Sequence, residues 1–307
     1  MTLHPQAVAF LERMTEEGIP PLSTLSPVEA RVWDAKVTAL LRTGSEPIDR
    51  VEDRRVPGLV GDIPVRIYSP RTRDTPEFLL YFHGGGWVLG NLDQADYPCR
   101  LLANKTQRIV VSVDYHLAPE HRFPVAPEDC YAVTKWVADN AKALGGSKER
   151  LAVCGASAGG NLAAAVSLMA KERGGPSIIT QILIYPVVDL LDSNYRDFPD
   201  DLSPALTKDD MLWFIRHYIA KQDDLNNKYA SPLLSDDLKG LPRTVLITAE
   251  HDILTKQCIA QAANLRKAGI QVHCVHYPGL IHGFFTLPEM FDAAVNAIER
   301  IAEDLKP

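Results

Sequence analysis

The sequence predicts an α/β domain built on a mostly parallel sheet, with helices on both faces and a helical cap. Three observations carry this. Short runs of Val, Ile, Leu and aromatic residues recur along the chain, helix-periodic stretches separate the later ones, and two long segments break the alternation. Strands that alternate with helices are joined by crossovers, and crossovers cover both faces of a parallel sheet. With 307 residues, 46% hydrophobic and 23% charged, the chain is long enough for one such core and too apolar to stay disordered.

Taken in order, residues 1–50 read as helices interrupted by Pro20, Pro21 and Pro27, and are expected to form the N-terminal part of the cap. The run 51–56 could supply an eighth strand at the edge, the weakest of the set because it is heavily charged. Strands are predicted over 62–68, 78–82, 109–114, 151–154, 178–185, 244–248 and 272–277. Between them, Val133, Trp136, Val137 and Leu144 share one helical face, and Leu162, Val166 and Met169 share another. Phe291, Ala294, Val295, Ile298, Ile301, Ala302 and Leu305 form the apolar face of a closing C-terminal helix. The segment 190–227 interrupts the alternation and carries Met211, Leu212, Trp213, Phe214 and Ile215, more apolar bulk than a solvated loop needs. It is expected to be the inserted part of the cap, leaving 51–189 and 228–307 as the core.

Composition excludes several functions. Lys and Arg number 32 against 39 Asp and Glu, a net charge of -7 with no basic block to follow a phosphate backbone, so nucleic acid is not an expected partner. The first residues lack both a basic start and a long apolar run, fitting neither a secretory signal nor a membrane span, and a cytoplasmic location is expected. Cys99, Cys130, Cys154, Cys258 and Cys274 form no C-x-x-C pair, which suits a reducing compartment and no metal site. Cys154 and Cys274 lie in apolar runs and are expected to be buried.

The chemistry is signalled first by Gly155-Ala156-Ser157-Ala158-Gly159, placed between the strand LAVC and the helical pattern NLAAAVSLMA. A strand-to-helix turn this tight strains its central residue and brings chains together, so small residues must flank it. It lifts the Ser157 hydroxyl over the carboxyl edge of the sheet and aims a helix N-terminus at the same place. The second signal is His83-Gly84-Gly85-Gly86-Trp87 after the strand FLLYF. Three glycines in a row let backbone N–H groups reach a substrate oxygen. With the N–H of Ala158, those of Gly85 and Gly86 are candidates for an oxyanion hole. A dinucleotide site would want G-x-G-x-x-G and a distant acid, which this loop does not offer. His83 reads as structural.

A serine hydroxyl needs a base and an orienting acid. Asp252, after the run TVLITAEH, and His282, in the loop LIHGFF, follow Ser157 in the order Ser, Asp, His, each beyond a strand end. Glu250 and Asp189 are the alternative acids; His251 and His276 are the alternative bases and are less well placed. Ser157, Asp252 and His282 are therefore the predicted triad, with Trp87, Phe214, Leu254, Leu280 and Phe284 as pocket lining by adjacency to these motifs.

Together the stretches HGGGW at 83–87, DYHLAPEHRFP at 114–124, GASAGGNLA at 155–163, YPVVD at 185–189 and ITAEHDIL to YPGLIHGFF within 247–285 resemble the hormone-sensitive lipase family of α/β-hydrolase esterases. The resemblance spans nearly the whole chain. It implies an eight-stranded α/β-hydrolase core, a cap built from both irregular segments, hydrolysis of carboxylic esters without a cofactor, and the same roles for the triad and oxyanion residues. It also allows a homodimer, for which the sequence offers no interface. Ala156 stands where Asp or Thr is usual, His116 where Arg is usual, and Ile253 where Pro is frequent. The expected function is hydrolysis of short- to medium-chain esters by a serine carboxylesterase, its rate falling on acidification as the base becomes charged. The alternatives are a hydrolase of lactones, amides or carbamates, or a receptor that binds a small molecule without turning it over.

Overall fold

A computed structural model describes residues 2–41, 44, 46–71, 76–191, 195, 198–199 and 202–306. Eight strands form one sheet: β1 (Arg50–Pro57), β2 (Asp62–Ser69), β3 (Glu77–Phe82), β4 (Ile109–Val113), β5 (Ser147–Ala156), β6 (Ile178–Ile184), β7 (Arg243–His251) and β8 (Val272–Ile281), in the order β1-β2-β4-β3-β5-β6-β7-β8. Only β2 runs against its neighbours. Every other pair is parallel.

The period of two in each central strand decides which helices cover which face. Phe78, Leu80 and Phe82 of β3 enter one core cluster with residues of α4 (Val125–Asp139) and α5 (Ala158–Glu172). Leu79 and Tyr81 enter the opposite cluster with α3 (Asp96–Thr106) and α8 (Asp292–Asp304). Edges are different. In β1 only Val56 is buried, and the cross-strand pair Asp53–Arg66 is held by an ion pair of 2.7 Å, so charge blunts this edge against further pairing.

Two expectations need correction. Cys274 is exposed, because β8 is the other edge strand and its outer positions face solvent. Leu144 lies beyond α4, which ends at Asp139; it is buried from the turn that follows. All eight strands, the charged edge included, lie where the sequence places them, several extending by one to four residues as pairing carries the backbone past the apolar run.

The N-terminal segment holds α1 (Pro5–Glu16) and α2 (Pro27–Leu41), and the insertion holds α6 (Lys208–Tyr218); α7 (Thr255–Lys267) follows β7. Residues 1, 42–43 and 45 of the former and 192–194, 196–197 and 200–201 of the latter lie outside the described residues. Thr207 and Asp210 start α6 with a capping box. Trp213 of α6 donates its indole N–H to the Leu25 carbonyl at 2.9 Å, joining the two segments. Among the described residues no helix is long and apolar enough to cross a membrane.

Candidate active site

Ser157 lies between β5 and α5 with φ 57° and ψ -118°, a left-handed conformation rare for a residue with a side chain. The surroundings hold it there: its N–H donates to the Ile184 carbonyl at 2.9 Å, and its carbonyl accepts from Asn161 at 3.0 Å. The turn is tight enough that a Cβ on Gly159 would lie 1.9 Å from the Phe82 carbonyl oxygen. Only glycine fits. Buried Asn161, in the first turn of α5, spreads its amide nitrogen between the carbonyls of Val187 at 2.9 Å and Ala230 at 2.8 Å.

Asp252 follows the end of β7 and His282 the end of β8, so both reach the same sheet edge as Ser157. The distances close the chain: Asp252 Oδ2 to His282 Nδ1 is 2.8 Å and His282 Nε2 to Ser157 Oγ is 3.0 Å. A carboxylate only accepts, so Nδ1 carries the hydrogen and Nε2 is left to accept from the serine hydroxyl. The other Asp252 oxygen accepts the Leu254 N–H at 2.9 Å. Beside the base, Gly283 takes φ 88° and frees the loop to turn.

The competing candidates are engaged elsewhere. The Glu250 carboxylate accepts the Gly279 N–H at 2.6 Å. Asp189 accepts the Leu191 N–H at 3.1 Å and takes the Tyr195 hydroxyl on its carbonyl. His276 faces the Thr248 hydroxyl at 3.0 Å, and His251 is buried. His83 stacks on Tyr115 at 4.2 Å and donates from Nδ1 to the Gly84 carbonyl at 2.8 Å. Burial pushes its pKa down to about 4, so it stays neutral and braces the glycine loop. Its neighbour Asp114 is pushed up to about 6, mainly by burial.

The glycine loop turns at Gly85, φ 102°, and Gly86, φ 58°. The Gly85 carbonyl accepts from Val88 and Leu89, which sets the turn. Ala158 is the first residue of α5, where N–H groups have no partner inside the helix and the dipole favours negative charge. Of the departures, Ala156 is wholly buried, and His116 donates its backbone N–H at 3.0 Å and Nδ1 at 2.6 Å to the buried carboxylate of Asp129.

The predicted pocket residues are misplaced. A cavity of about 290 Å³ is bordered by His282, Gly283, Gly84 and Gly85, and none of Trp87, Phe214, Leu254, Leu280 and Phe284 lines it. All five are buried in the core. Trp87 stacks on Tyr218 at 4.1 Å, and the Phe214 ring occupies the space where a Gly86 Cβ would project, 2.0 Å from it. Adjacency to a motif along the chain does not set the direction of a side chain, and here the large ones pack inward. The apolar wall comes instead from Phe10, Val37, Leu41, Tyr97, Leu287 and Phe291, drawn mostly from the N-terminal segment and α3.

Tyr185 was also missed. It follows β6 with φ 33°, and its buried ring sits 4.6 Å from that of His282. The motif YPVV at the end of an apolar strand was the signal available. Among the described residues no cluster of three or more His, Cys, Asp or Glu is placed to hold a metal ion.

Comparison with known proteins gives the family. Residues 79–286 match a family described as having the alpha/beta hydrolase fold. The chain is 39% identical to the carboxylesterase NlhH of Mycobacterium tuberculosis over 84% of this chain and 82% of that protein. It is 32% identical to an ethyl acetate hydrolase of Pseudomonas putida over 100% and 99% of the two chains. The crystal structure of a hyperthermophilic esterase from the archaeon Pyrobaculum calidifontis superposes with a TM-score of 0.93 at 39% identity, covering 100% of this chain and 98% of that one. The protein belongs to the α/β-hydrolase family, in its hormone-sensitive-lipase-like branch.

Proposed function

We propose that the protein is a serine carboxylesterase that hydrolyses short- to medium-chain carboxylic esters through an acyl-enzyme on Ser157. The observation that carries this is the unbroken chain from Ser157 Oγ through His282 to Asp252, at 3.0 and 2.8 Å. His282 Nε2 takes the serine proton as Oγ bonds to the ester carbonyl carbon. The carbonyl oxygen becomes an oxyanion held by the N–H groups of Gly85, Gly86 and Ala158. Collapse breaks the bond to the alcohol, which leaves with the proton from His282. Water then loses a proton to the same nitrogen as it attacks the acyl carbon, the bond to Ser157 Oγ breaks to release the acid, and His282 returns the proton to Oγ. Asp252 stabilises the imidazolium formed in each step.

Short acyl chains are favoured by cavity size. A space of about 290 Å³ lies at the lower limit of small-molecule pockets, roughly 300 Å³, and the rings of Phe10 and Phe291, 5.8 Å apart, stand in its wall. The relative named for ethyl acetate hydrolysis supports the same direction. Residues 1–50 and 190–227 act as the cap, a role supported by the Trp213–Leu25 bond and by the cavity residues the first segment supplies. All five cysteines are free, which suits a reducing, cytoplasmic setting.

The test is turnover of a chromogenic ester series of rising acyl length by wild type and Ser157→Ala. Turnover that peaks at short chains and drops about 10⁶-fold in the variant is expected. Failure of a folded wild type to cleave any of the esters would overturn the reading.

A further inference from the structure

The turn that carries the candidate acid has a tie from outside its own strand and helix. β7 ends at His251 and α7 begins at Thr255, so Asp252, Ile253 and Leu254 are the whole connection. The Leu254 N–H is satisfied locally by the Asp252 side chain at 2.9 Å, and that of Thr255, the first residue of α7, by the Asp252 carbonyl at 3.1 Å. The N–H of Ile253 is buried and donates instead to Ser203 Oγ at 3.1 Å, fifty residues away in the insertion. Ser203 is 0% exposed, and its hydroxyl also donates to the Leu206 carbonyl at 2.7 Å. Between Ser203 and Leu206 lies Ala205, which lines the cavity beside His282.

We propose that Ser203 is a positioning residue for the triad: by accepting the Ile253 N–H it fixes the peptide next to Asp252, and by donating to Leu206 it holds the cavity wall to the same point. This rests on the esterase reading above. A buried N–H without an acceptor is costly, and the acceptor given to Ile253 is the Ser203 hydroxyl. Proline at this position has no N–H and makes the tie unnecessary. The serine thus meets a requirement that the Ile253 N–H creates.

The experiment is a double-mutant cycle on a soluble short-chain ester, with kcat and KM measured for wild type, Ser203→Ala, Ile253→Pro and the double variant, and folding followed by circular dichroism. Ser203→Ala is expected to lose about tenfold in kcat, equivalent to about 1.4 kcal/mol, with KM within about twofold. Ile253→Pro is expected to keep kcat within about threefold, and to keep it there when Ser203→Ala is added. A folded Ser203→Ala with unchanged kcat overturns the proposal, and so does a loss that proline does not recover. If Ser203→Ala fails to fold, the double variant against Ile253→Pro decides: similar kcat supports the tie, and a further tenfold loss overturns it. An inactive wild type would instead strike the esterase reading, which separates the two failures.

Discussion

The carboxyl edge of the sheet and the wall of the cavity above it are built on different logic. At the edge, each reacting residue sits within a few positions of a strand end, and backbone pairing delivers it to within about 3 Å of its partner. The wall is drawn from Phe10, Val37, Leu41, Tyr97, Leu287 and Phe291, most of them on the helices α1, α2 and α3. Each reacting residue is therefore marked by its own short stretch of sequence, whereas the cavity wall depends on how distant segments pack. Substitutions at the edge should act on kcat, and substitutions in the wall on the ranking of substrates.

The strongest break of this comparison after the serine itself is Asp252→Asn. It keeps the shape but turns an acceptor into a group that favours the wrong imidazole tautomer, and kcat should fall about 10⁴-fold with KM little changed. Gly86→Ala comes next. The new methyl meets the Phe214 ring and displaces one of the proposed oxyanion donors, for an expected loss of about 10²-fold in kcat. Adding Phe214→Ala should restore part of it, since the obstacle is a side chain and not backbone. A loss unchanged by that second substitution would show that the φ of 58° at residue 86, not the ring, is what demands glycine.

In the wall, Phe10→Ala should raise kcat/KM for hexanoate relative to acetate esters by about tenfold, the worth of a methylene or so of space, while kcat on acetate changes little. An unchanged ranking would move the limit on chain length away from Phe10. The smallest effect belongs to His83. Its pKa is lowered from 6.5 to about 4, so below pH 6.5 the unfolded chain binds a proton that the folded protein refuses. Its contribution to stability is lost as pH falls from 6.5 toward 4, and nothing further is lost once both states are protonated. His83→Asn, which keeps a donor for the Gly84 carbonyl, should flatten the decline of Tm across that window. Asp114, raised to about 6, acts with the opposite sign between about 4 and 6, so the difference between variant and wild type carries the test.

What could be read in the sequence follows the same division. Strand positions were legible where the runs are apolar, and charged β1 was the weakest of them because only Val56 turns inward. Ser157 and the glycine loop were legible because their backbone conformations admit few residue types, and Asp252 and His282 because both lie just past strand ends. The pocket was not. Trp87 and Leu254 adjoin catalytic motifs yet are wholly buried in the core, since adjacency along a chain does not set the direction of a side chain. Phe10 carries no motif at all; only the contact of α1 with the C-terminal part of the chain, through His4 to the Gly279 carbonyl at 2.8 Å and Phe10 against Phe291, brings it to the site. Cys274 shows the same limit in reverse, an apolar run whose place at the sheet edge leaves it in water.

The amide of Asn161 touches Val187 on one side and Ala230 on the other, and these are the two feet of the segment that carries α6. With the ends clasped to the first turn of the nucleophile's helix, the cost of closing that loop depends only weakly on its length, about 0.6 kcal/mol for each doubling. The region between them can therefore vary in length at little cost. Exchange of residues 188–229 for a segment of different length, with Asn161 kept and a hydroxyl retained in the place of Ser203 beside Ile253, offers a route to new substrate preferences through the stretch around Ala205 that borders the cavity.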